Sequence, residues 1–502
     1  MGLRTGEQYL AALQDGRKII SNGQMVEDVT TQPGFRNTAK AIAQFYDLQN
    51  LPEMSSTMTY QTPEGDIAGL AFIEPRSKED LRKRGAAYSA WAEVTCGLMG
   101  RSPDYMNSIM MMIAAASPRL GIRDKSLGAR AREIYLDARR KDLCMTHTFI
   151  YPMVDRFKPL AQQKSTLRVI RETTDGPIVT GARAIATLAP FSDSNLALHM
   201  SHGSAFEKGD EHFAISFTLP VNAKGLHWVC RDIYDQEKPL FDAPLSTRSD
   251  EMDCMAIFDE CLIPWENIFI YKDLDIYNRQ GEIFRFTTAA AQQVLTRAIA
   301  KTRFLFGLAH LLAESSQINK FINVQERLGD FAIYLQNLEA LAIAMVEGAV
   351  QDPIDGLWYP NPTAASVSLR LYPEYYQNMI NHLMQMGASG YVGMPQESTF
   401  DNFGLAIEEY FRGASSKAKD KVALSRLAWD LIGSGWGRRQ ELYERFFFGD
   451  SQKWKCLTYF MTDKSQAIEM VNRLLTDDNS DKSPYPLPKK LKNSIEKRTT
   501  KI

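Results

Sequence analysis

Apolar positions along the chain change their period twice, which divides it into three stretches. From Thr5 to about Lys141 the spacing is that of amphipathic helices, broken by loops such as Leu51-Pro52-Glu53. The run RSKEDLRKRGAAYSAWAEVTCGLMG predicts one long helix that stops at Gly97 or Gly100. Another helix should begin just after it: Ser102 suits the N-cap, Pro103 the first helical position and Asp104 the positive end of the helix dipole. From about Asp142 to Asp275 the texture turns to strands. TLRVIRETTDGPIVTGARAIATLAP holds two apolar runs joined by Asp175-Gly176, a hairpin signal. HFAISFTLPV, GLHWVCRDIYD and DCMAIFDECLIP continue the pattern as a compact antiparallel domain. From about Ile283 to Leu475 helices return. Phe331, Leu335, Leu338, Leu341 and Met345 form one stripe, Val422, Leu427 and Leu431 another, and four or five such helices with modest connections predict a bundle. The predicted architecture is mostly α with a central β domain: an N-terminal helical domain over 1–141, a β domain over 142–278, a helical bundle over 279–475 and a tail over 476–502.

Composition narrows function more than fold. The 502 residues allow roughly two to four domains and a large core. A net charge of −2 gives no electrostatic basis for binding nucleic acid or an anionic membrane. No apolar run reaches the roughly 18 residues of a membrane span, the N-terminus is acid-containing rather than signal-like, and Gly6 stands where myristoylation needs Ser or Thr. Cys96, Cys144, Cys230, Cys254, Cys261 and Cys456 include no C-x-x-C pair, which argues against a disulfide framework or structural zinc and for a reducing, cytoplasmic setting. The tail after Pro484, with six basic residues and one acid, reads as a solvated extension.

Candidate chemistry centres on GLMGRSPDYMNSIM. Arg101 and Tyr105 are four apart where a helix should begin, so a guanidinium and a phenol would share one face and could hold an anionic or phenolic ligand. His147, in KDLCMTHTFIYPMVDRFKP at the junction of helix and strand, titrates near neutrality and could take a phenolic proton; a hydrogen-bonded structural histidine is the competing explanation. His199 and His202 invite a metal, but no carboxylate triad is spaced around them, and a loop covering a pocket is the preferred reading. Gly433-Ser434-Gly435-Trp436-Gly437 lacks the dinucleotide-binding spacing and follows a helical pattern, so it reads as a helix end and turn. Even so, its bare amides followed by Arg438 and Arg439 suit a pyrophosphate or adenine-side contact. Thr187 falls on the strand after the hairpin, where threonine is ordinary β chemistry. Iron–sulfur ligation would need more cysteines at suitable spacing, and G-x-S-x-G, H-E-x-x-H and P-loop motifs are missing.

Together TGEQYLAALQDGR with VEDVTTQPGFRN, then GRSPDYMN, DLCMTHTFIYPMVDR, GARAIATLAP and WDLIGSGWGRRQELYERFFFGD resemble, in order, the 4-hydroxyphenylacetate 3-monooxygenase large-component family from about Thr5 to Asp450. The resemblance implies an acyl-CoA-dehydrogenase-like fold with an N-terminal helical domain, an antiparallel β-barrel-like domain and a C-terminal four-helix bundle, assembled as a homotetramer. It also implies a two-component system, in which a separate NAD(P)H-dependent reductase supplies reduced FAD (FADH2) by diffusion. Reduced flavin and O2 would give a C4a-hydroperoxide that hydroxylates a para-substituted phenol ortho to its oxygen, yielding a catechol. Matched by motif, Arg101, Tyr105 and His147 would bind the phenol, and Thr187 would lie near flavin N5. Met153, Val154, Asp155 and Arg156, together with His147, would contact the flavin, and Ser434, Gly435, Trp436, Gly437 and Arg438 would supply a C-terminal cofactor contact; no metal is implied. There are departures. Cys144 stands where a small residue is more usual, and SDSNLALHMSHGSAFEKGDEHF does not match 4-hydroxyphenylacetate specificity. FTTAAAQQVLTR lacks the histidine base of some halophenol-using relatives. Two other activities share the implied fold: a 4-hydroxybutyryl-CoA dehydratase-like lyase, which needs an iron–sulfur cluster, and an acyl-CoA-dehydrogenase-like flavoprotein.

Overall fold

The strand Asp253–Leu262 alternates buried and exposed residues along most of its length, the pattern of a sheet covered on one face. In the computed structural model, which describes residues 3–152, 154–200 and 205–475, this strand lies inside a six-stranded sheet. Its order is Gln24–Val26, Ile19–Ser21, Leu226–Cys230, Asp253–Leu262, Pro177–Thr187 and Arg168–Glu172. A four-stranded sheet runs Ile268–Tyr271, Ile215–Pro220, Ser194–Ala197, Met145–Thr148. The expected hairpin is present: Arg168–Glu172 pairs antiparallel with Pro177–Thr187, closed by a bond from Thr173 N–H to the Gly176 carbonyl.

Three features correct the sequence reading. The sheets are mixed rather than antiparallel, because Ile19–Ser21 pairs parallel with Leu226–Cys230 and Met145–Thr148 pairs parallel with Ser194–Ala197. Parallel neighbours need a long crossover, and here the hairpin 168–187 supplies one between Met145–Thr148 and Ser194–Ala197. The N-terminal stretch is also not wholly helical. It contains the helices Gly6–Ala12, Arg36–Gln49, Lys78–Val94, Pro103–Ala115 and Lys125–Lys141, but Ile19–Ser21 and Gln24–Val26 form one edge of the large sheet. The long helix read up to Gly97 or Gly100 ends earlier, at Val94, because Cys96 and Gly97 both adopt left-handed backbone.

Every residue of Pro103–Ala115 is buried. The helix packs on Phe286–Ser315, the first long helix of the bundle. Phe286–Ser315, Ile322–Glu347 and Pro362–Gly387 pack pairwise, and Ala418–Ile432 rests on the first and third of them. Phe331, Leu338 and Met345 of the predicted stripe are fully buried at seven-residue spacing, while Leu335 and Leu341 are half-buried at its margins. Residues 1–448 form one compact unit, and a second begins at Gly449. The second unit contains the helices Ser451–Met461 and Ser465–Leu475; the predicted tail lies outside the described residues. Among the described residues no helix is long and apolar enough to cross a membrane.

Candidate active site

The helix begins where the sequence predicts, with Ser102 as N-cap, so Arg101 lies just before it. The extended backbone of Ser102 lets the guanidinium fold back over the first turn. There its carbon lies 4.0 Å from the centre of the Tyr105 ring, a cation on a π face rather than two donors side by side. Ser102 makes no side-chain capping bond; its Oγ donates to Asp104 Oδ1 at 2.6 Å, and that same carboxylate oxygen accepts the Tyr105 N–H at 2.9 Å.

The edges of the Arg101 guanidinium are directed. Nε donates to His147 Nε2 at 3.1 Å and Nη1 to the Tyr443 hydroxyl at 2.6 Å, while the backbone N–H donates to Glu251 Oε1 at 2.6 Å. Among the described residues Nη2 makes no hydrogen bond, nor does the Tyr105 hydroxyl. His147, on Met145–Thr148, stacks on Phe149 with ring centres 4.2 Å apart, and Phe149 meets Phe286 edge-on at the start of the bundle. The sheet, the helix Pro103–Ala115 and the bundle thus meet at one aromatic cluster.

The Arg101 contact settles the imidazole tautomer. An arginine Nε–H can only donate, so His147 Nε2 must accept, and the neutral ring carries its proton on Nδ1. Nδ1 is buried and has no partner among the described residues. Burial first, and then the charge of Arg101, hold the histidine well below its ordinary range, with Asp253 opposing. In this arrangement the His147 lone pair, which the sequence offers as a proton acceptor, is engaged by Arg101, and the ring is left with a donor at Nδ1.

Behind this cluster lies a charged network that local sequence signals did not reveal. Thr187 Oγ1 donates to Asp253 Oδ1 at 2.7 Å, and its carbonyl accepts from Thr146, the residue before His147. Asp253 also accepts from Arg439 through Nε and Nη2, each at 2.8 Å, and from Arg231 Nε at 3.1 Å. Burial alone would raise its carboxyl, but Arg439 and Arg231 outweigh it and hold the group well below the usual carboxylate range. Arg439 Nη1 reaches Glu251, which holds the Arg101 backbone, so the network ties Thr187 to Arg101.

The glycine-rich stretch joins two helices. Gly433 ends Ala418–Ile432, and Ser434 N-caps Gly435–Phe446 by accepting the Gly437 N–H at 2.9 Å. A Cβ on Gly437 would lie 2.1 Å from the Leu431 carbonyl oxygen, so glycine is required there by close approach. Trp436 is buried and donates to the Ser249 carbonyl. Arg439 is committed to carboxylates and not available to a pyrophosphate, and Arg438 pairs with Glu441 at the surface. A cavity of about 390 Å³ is lined by Tyr234, Lys238, Arg426, Trp429, Ser434 and Trp436, among others.

The remaining predicted contacts lie elsewhere on the chain, and among the described residues nothing in their geometry assigns them a ligand. Val154 is exposed, Asp155 accepts the Phe157 N–H and pairs with Lys158, and Arg156 is exposed. Met153 and His202 lie outside the described residues. His199 is buried and stacks on Tyr277 at 4.9 Å. Tyr443, Asp253, Glu251 and Phe149 were missed. Tyr443 shares a helix face with Arg439 and Phe447 by four-residue spacing, and that was its only local signal.

A buried guanidinium, imidazole and phenol with unused donors, next to stacked aromatic rings, have the chemistry to hold an aromatic ligand bearing an anionic oxygen. Residues 5–270 match the family described as 4-hydroxyphenylacetate 3-hydroxylase N terminal, and residues 277–476 that described as 4-hydroxyphenylacetate 3-hydroxylase C terminal. The chain is 37% identical over 479 residues to the 4-hydroxyphenylacetate 3-monooxygenase oxygenase component of Thermus thermophilus, covering 94% of this chain and 98% of that one. It is 34% identical over 466 residues to a Streptomyces globisporus (3S)-3-amino-3-(3-chloro-4-hydroxyphenyl)propanoyl-[peptidyl-carrier protein SgcC2] monooxygenase, covering 89% and 85%. A solved oxygenase component of 4-hydroxyphenylacetate 3-monooxygenase, complexed with FAD and 4-hydroxyphenylacetate, superposes with TM-score 0.88 at 37% identity, covering 94% and 98%. A 4-hydroxybutyryl-CoA dehydratase from N. maritimus, 17% identical with TM-score 0.82, shares the fold alone. The chain belongs to the 4-hydroxyphenylacetate 3-hydroxylase family and is a flavin-dependent aromatic monooxygenase.

Proposed function

We propose that this protein is the oxygenase component of a two-component system that ortho-hydroxylates a para-substituted phenol, with reduced FAD delivered by a separate NAD(P)H-dependent reductase, and that it works as a homotetramer. The observation that carries the reading is the Arg101–His147 pair: a fixed cation whose neighbouring imidazole has its Nδ1–H buried and unpaired.

Phenol oxygen chemistry fits what is left unpaired. Arg101 Nη2, His147 Nδ1–H and the Tyr105 hydroxyl are donors in one cluster, and donors beside a fixed cation favour phenolate over phenol. Ionisation raises electron density at the ring carbons ortho to the oxygen, where the new hydroxyl is placed. Phe149 and Phe286 offer aromatic surface to the ring. Because His147 donates, the phenol proton passes to solvent water as the substrate binds in its phenolate form; the imidazole stabilises the anion and does not create it. If this polarisation contributes about 3 kcal/mol, its loss slows hydroxylation about a hundredfold.

The residues present also fit a flavin. Thr187 Oγ1 commits its proton to Asp253, so its lone pairs can only accept, which matches the N–H that a reduced flavin carries at N5. The cavity beside Ser434 and Trp436 offers indole and phenol faces suited to an adenine ring; Asp232, Asp242 and Asp430 also line it and do not favour a pyrophosphate. Thr187, Ser434, Gly435 and Trp436 would hold the cofactor, which when bound supplies the activated oxygen. Gly437 and Arg438 would take part through the turn they complete.

Purified protein with FAD and NADH should give no catechol until a flavin reductase is added. With the reductase, a panel of 4-hydroxyphenylacetate, tyrosine, 4-hydroxycinnamate and a carrier-protein-bound phenol, scored by mass, should show a gain of one oxygen on at least one member. Full turnover without reductase, or no product on any phenol with it, would overturn the reading.

A further inference from the structure

We propose that Tyr443 is a positioning residue of this site: its hydroxyl holds the Arg101 guanidinium in the orientation that engages His147 and presents Nη2 to the substrate oxygen. The inference rests on the reading of Arg101 as the phenol-binding cation.

A guanidinium on a flexible stem is fixed by contacts to its face and to its edges. Here the face lies on the Tyr105 ring, one edge meets His147, and a second meets the Tyr443 hydroxyl at 2.6 Å, shorter than the His147 contact at 3.1 Å. Tyr443 is thus an internal phenol already bound to the cation proposed to bind the substrate's phenol.

Tyr443 is itself held on several sides. Its ring stacks on Phe447 with centres 4.9 Å apart. Gly100, next to Arg101, passes so close that a Cβ there would sit 2.4 Å from the Tyr443 hydroxyl oxygen. Its helix is pinned by Arg439 to Glu251 and Asp253. The adjacent Glu444 is pinned by Arg297 at 2.6 and 2.8 Å and by Lys301 at 2.6 Å. A phenylalanine would keep the stack and the packing on Gly100. The hydroxyl adds one thing, an oxygen that accepts the Arg101 Nη1–H, without which that N–H would lose its partner.

The charged groups around Tyr443 are Arg101, Arg297 and Arg439 on one side of the balance and Glu251 and Glu444 on the other. Those acting on His147 are Arg101, which disfavours its protonation, and Asp253, which favours it. Releasing the Tyr443 tether frees Arg101 to leave His147 Nε2. The imidazole then regains its Nε2 lone pair and takes a proton there at higher pH; the Nδ1–H is kept, and what the substrate loses is the oriented guanidinium.

The test is Tyr443→Phe, assayed as the FAD-loaded enzyme with a flavin reductase and 4-hydroxyphenylacetate, or whichever panel phenol is hydroxylated, with Arg101→Ala in parallel. Tyr443→Phe should raise the KM and the directly measured Kd for the phenol about tenfold to a hundredfold. kcat should fall too, by less than in Arg101→Ala, FAD affinity and melting temperature should stay within about twofold and a few degrees, and His147 should titrate at higher pH, read from its imidazole NMR signals. If Arg101→Ala weakens phenol binding while Tyr443→Phe matches wild type in KM and in the titration of His147, the tether is refuted and the reading of Arg101 stands. If Tyr443→Phe lowers FAD affinity and melting temperature together, its role is structural and the proposal fails. If Arg101→Ala leaves phenol binding unchanged, the underlying reading of the site fails with it.

Discussion

His147 shows how one contact decides a chemical role. Spacing and residue type pointed to an imidazole near a guanidinium, and both are there, but only the direction of the Arg101 Nε–H bond reveals that the histidine must donate. Asp104 makes a second residue-scale point. Burial pushes its carboxyl up to about 7, even though Ser102 Oγ, Gln293 Nε2 and the Tyr105 N–H all donate to it. A carboxyl raised on folding contributes stability that is fully present below its unfolded value of about 4 and is lost as pH rises through about 7. Asp104→Asn removes the titration while keeping the shape. Denaturation of both proteins between about pH 4 and pH 8 should show wild type losing stability relative to the variant as pH rises, by at most about 4 kcal/mol over the window. Parallel pH dependences would contradict this. Arg101, Tyr105 and His147 were legible because they sit in short motifs. Tyr443, Glu251 and Asp253 were not, because they reach the site from positions 150 to 342 residues away from Arg101 and no local spacing encodes that approach.

At the scale of elements, long periodic segments were read correctly and short ones were not. The bundle helices carry their stripe over many turns, whereas Ile19–Ser21 and Gln24–Val26 are three residues each and have no room for a period. Ile19–Ser21 is placed by pairing with Leu226–Cys230, about 200 residues away, and Gln24–Val26 by pairing with Ile19–Ser21. The Gly433 to Gly437 stretch was read correctly as a helix end, and the structure adds why it is glycine-rich. Gly437 presses on the Leu431 carbonyl, and Gly435 faces the Tyr234 ring, where a Cβ would lie 2.9 Å away. Gly437→Ala forces backbone apart at the junction that orients the helix bearing Arg439 and Tyr443. It should cost about 3 kcal/mol or more, read as a lower melting temperature, with weaker phenol binding in whatever folds. A wild-type melting temperature in that variant would show that the turn tolerates a methyl group.

Across the molecule the site is assembled from parts that share no sequence neighbourhood. Arg101 comes from the approach to a fully buried helix, His147 from the small sheet, Asp253 from the large sheet, and Tyr443 from the last helix before Gly449. Carboxylates and guanidiniums join these parts: Arg439 to Asp253 and Glu251, and Arg297 and Lys301 to Glu444. In the second cluster one carboxylate faces two buried cations. Glu444 is held down at about 2, burial notwithstanding, while burial pushes Lys301 down to about 8. Such a network fixes geometry more than it adds stability, which suits a site whose chemistry depends on the placement of one guanidinium. The central claim is that this placement ionises the substrate. Titrating 4-hydroxyphenylacetate bound to the FAD-loaded enzyme, by its phenolate absorption, reads this directly. The account predicts a bound pKa lowered by about one to three units from the free value near 10, with the shift lost in Arg101→Ala. A bound phenol that stays neutral until about pH 10 in the wild-type enzyme would contradict it.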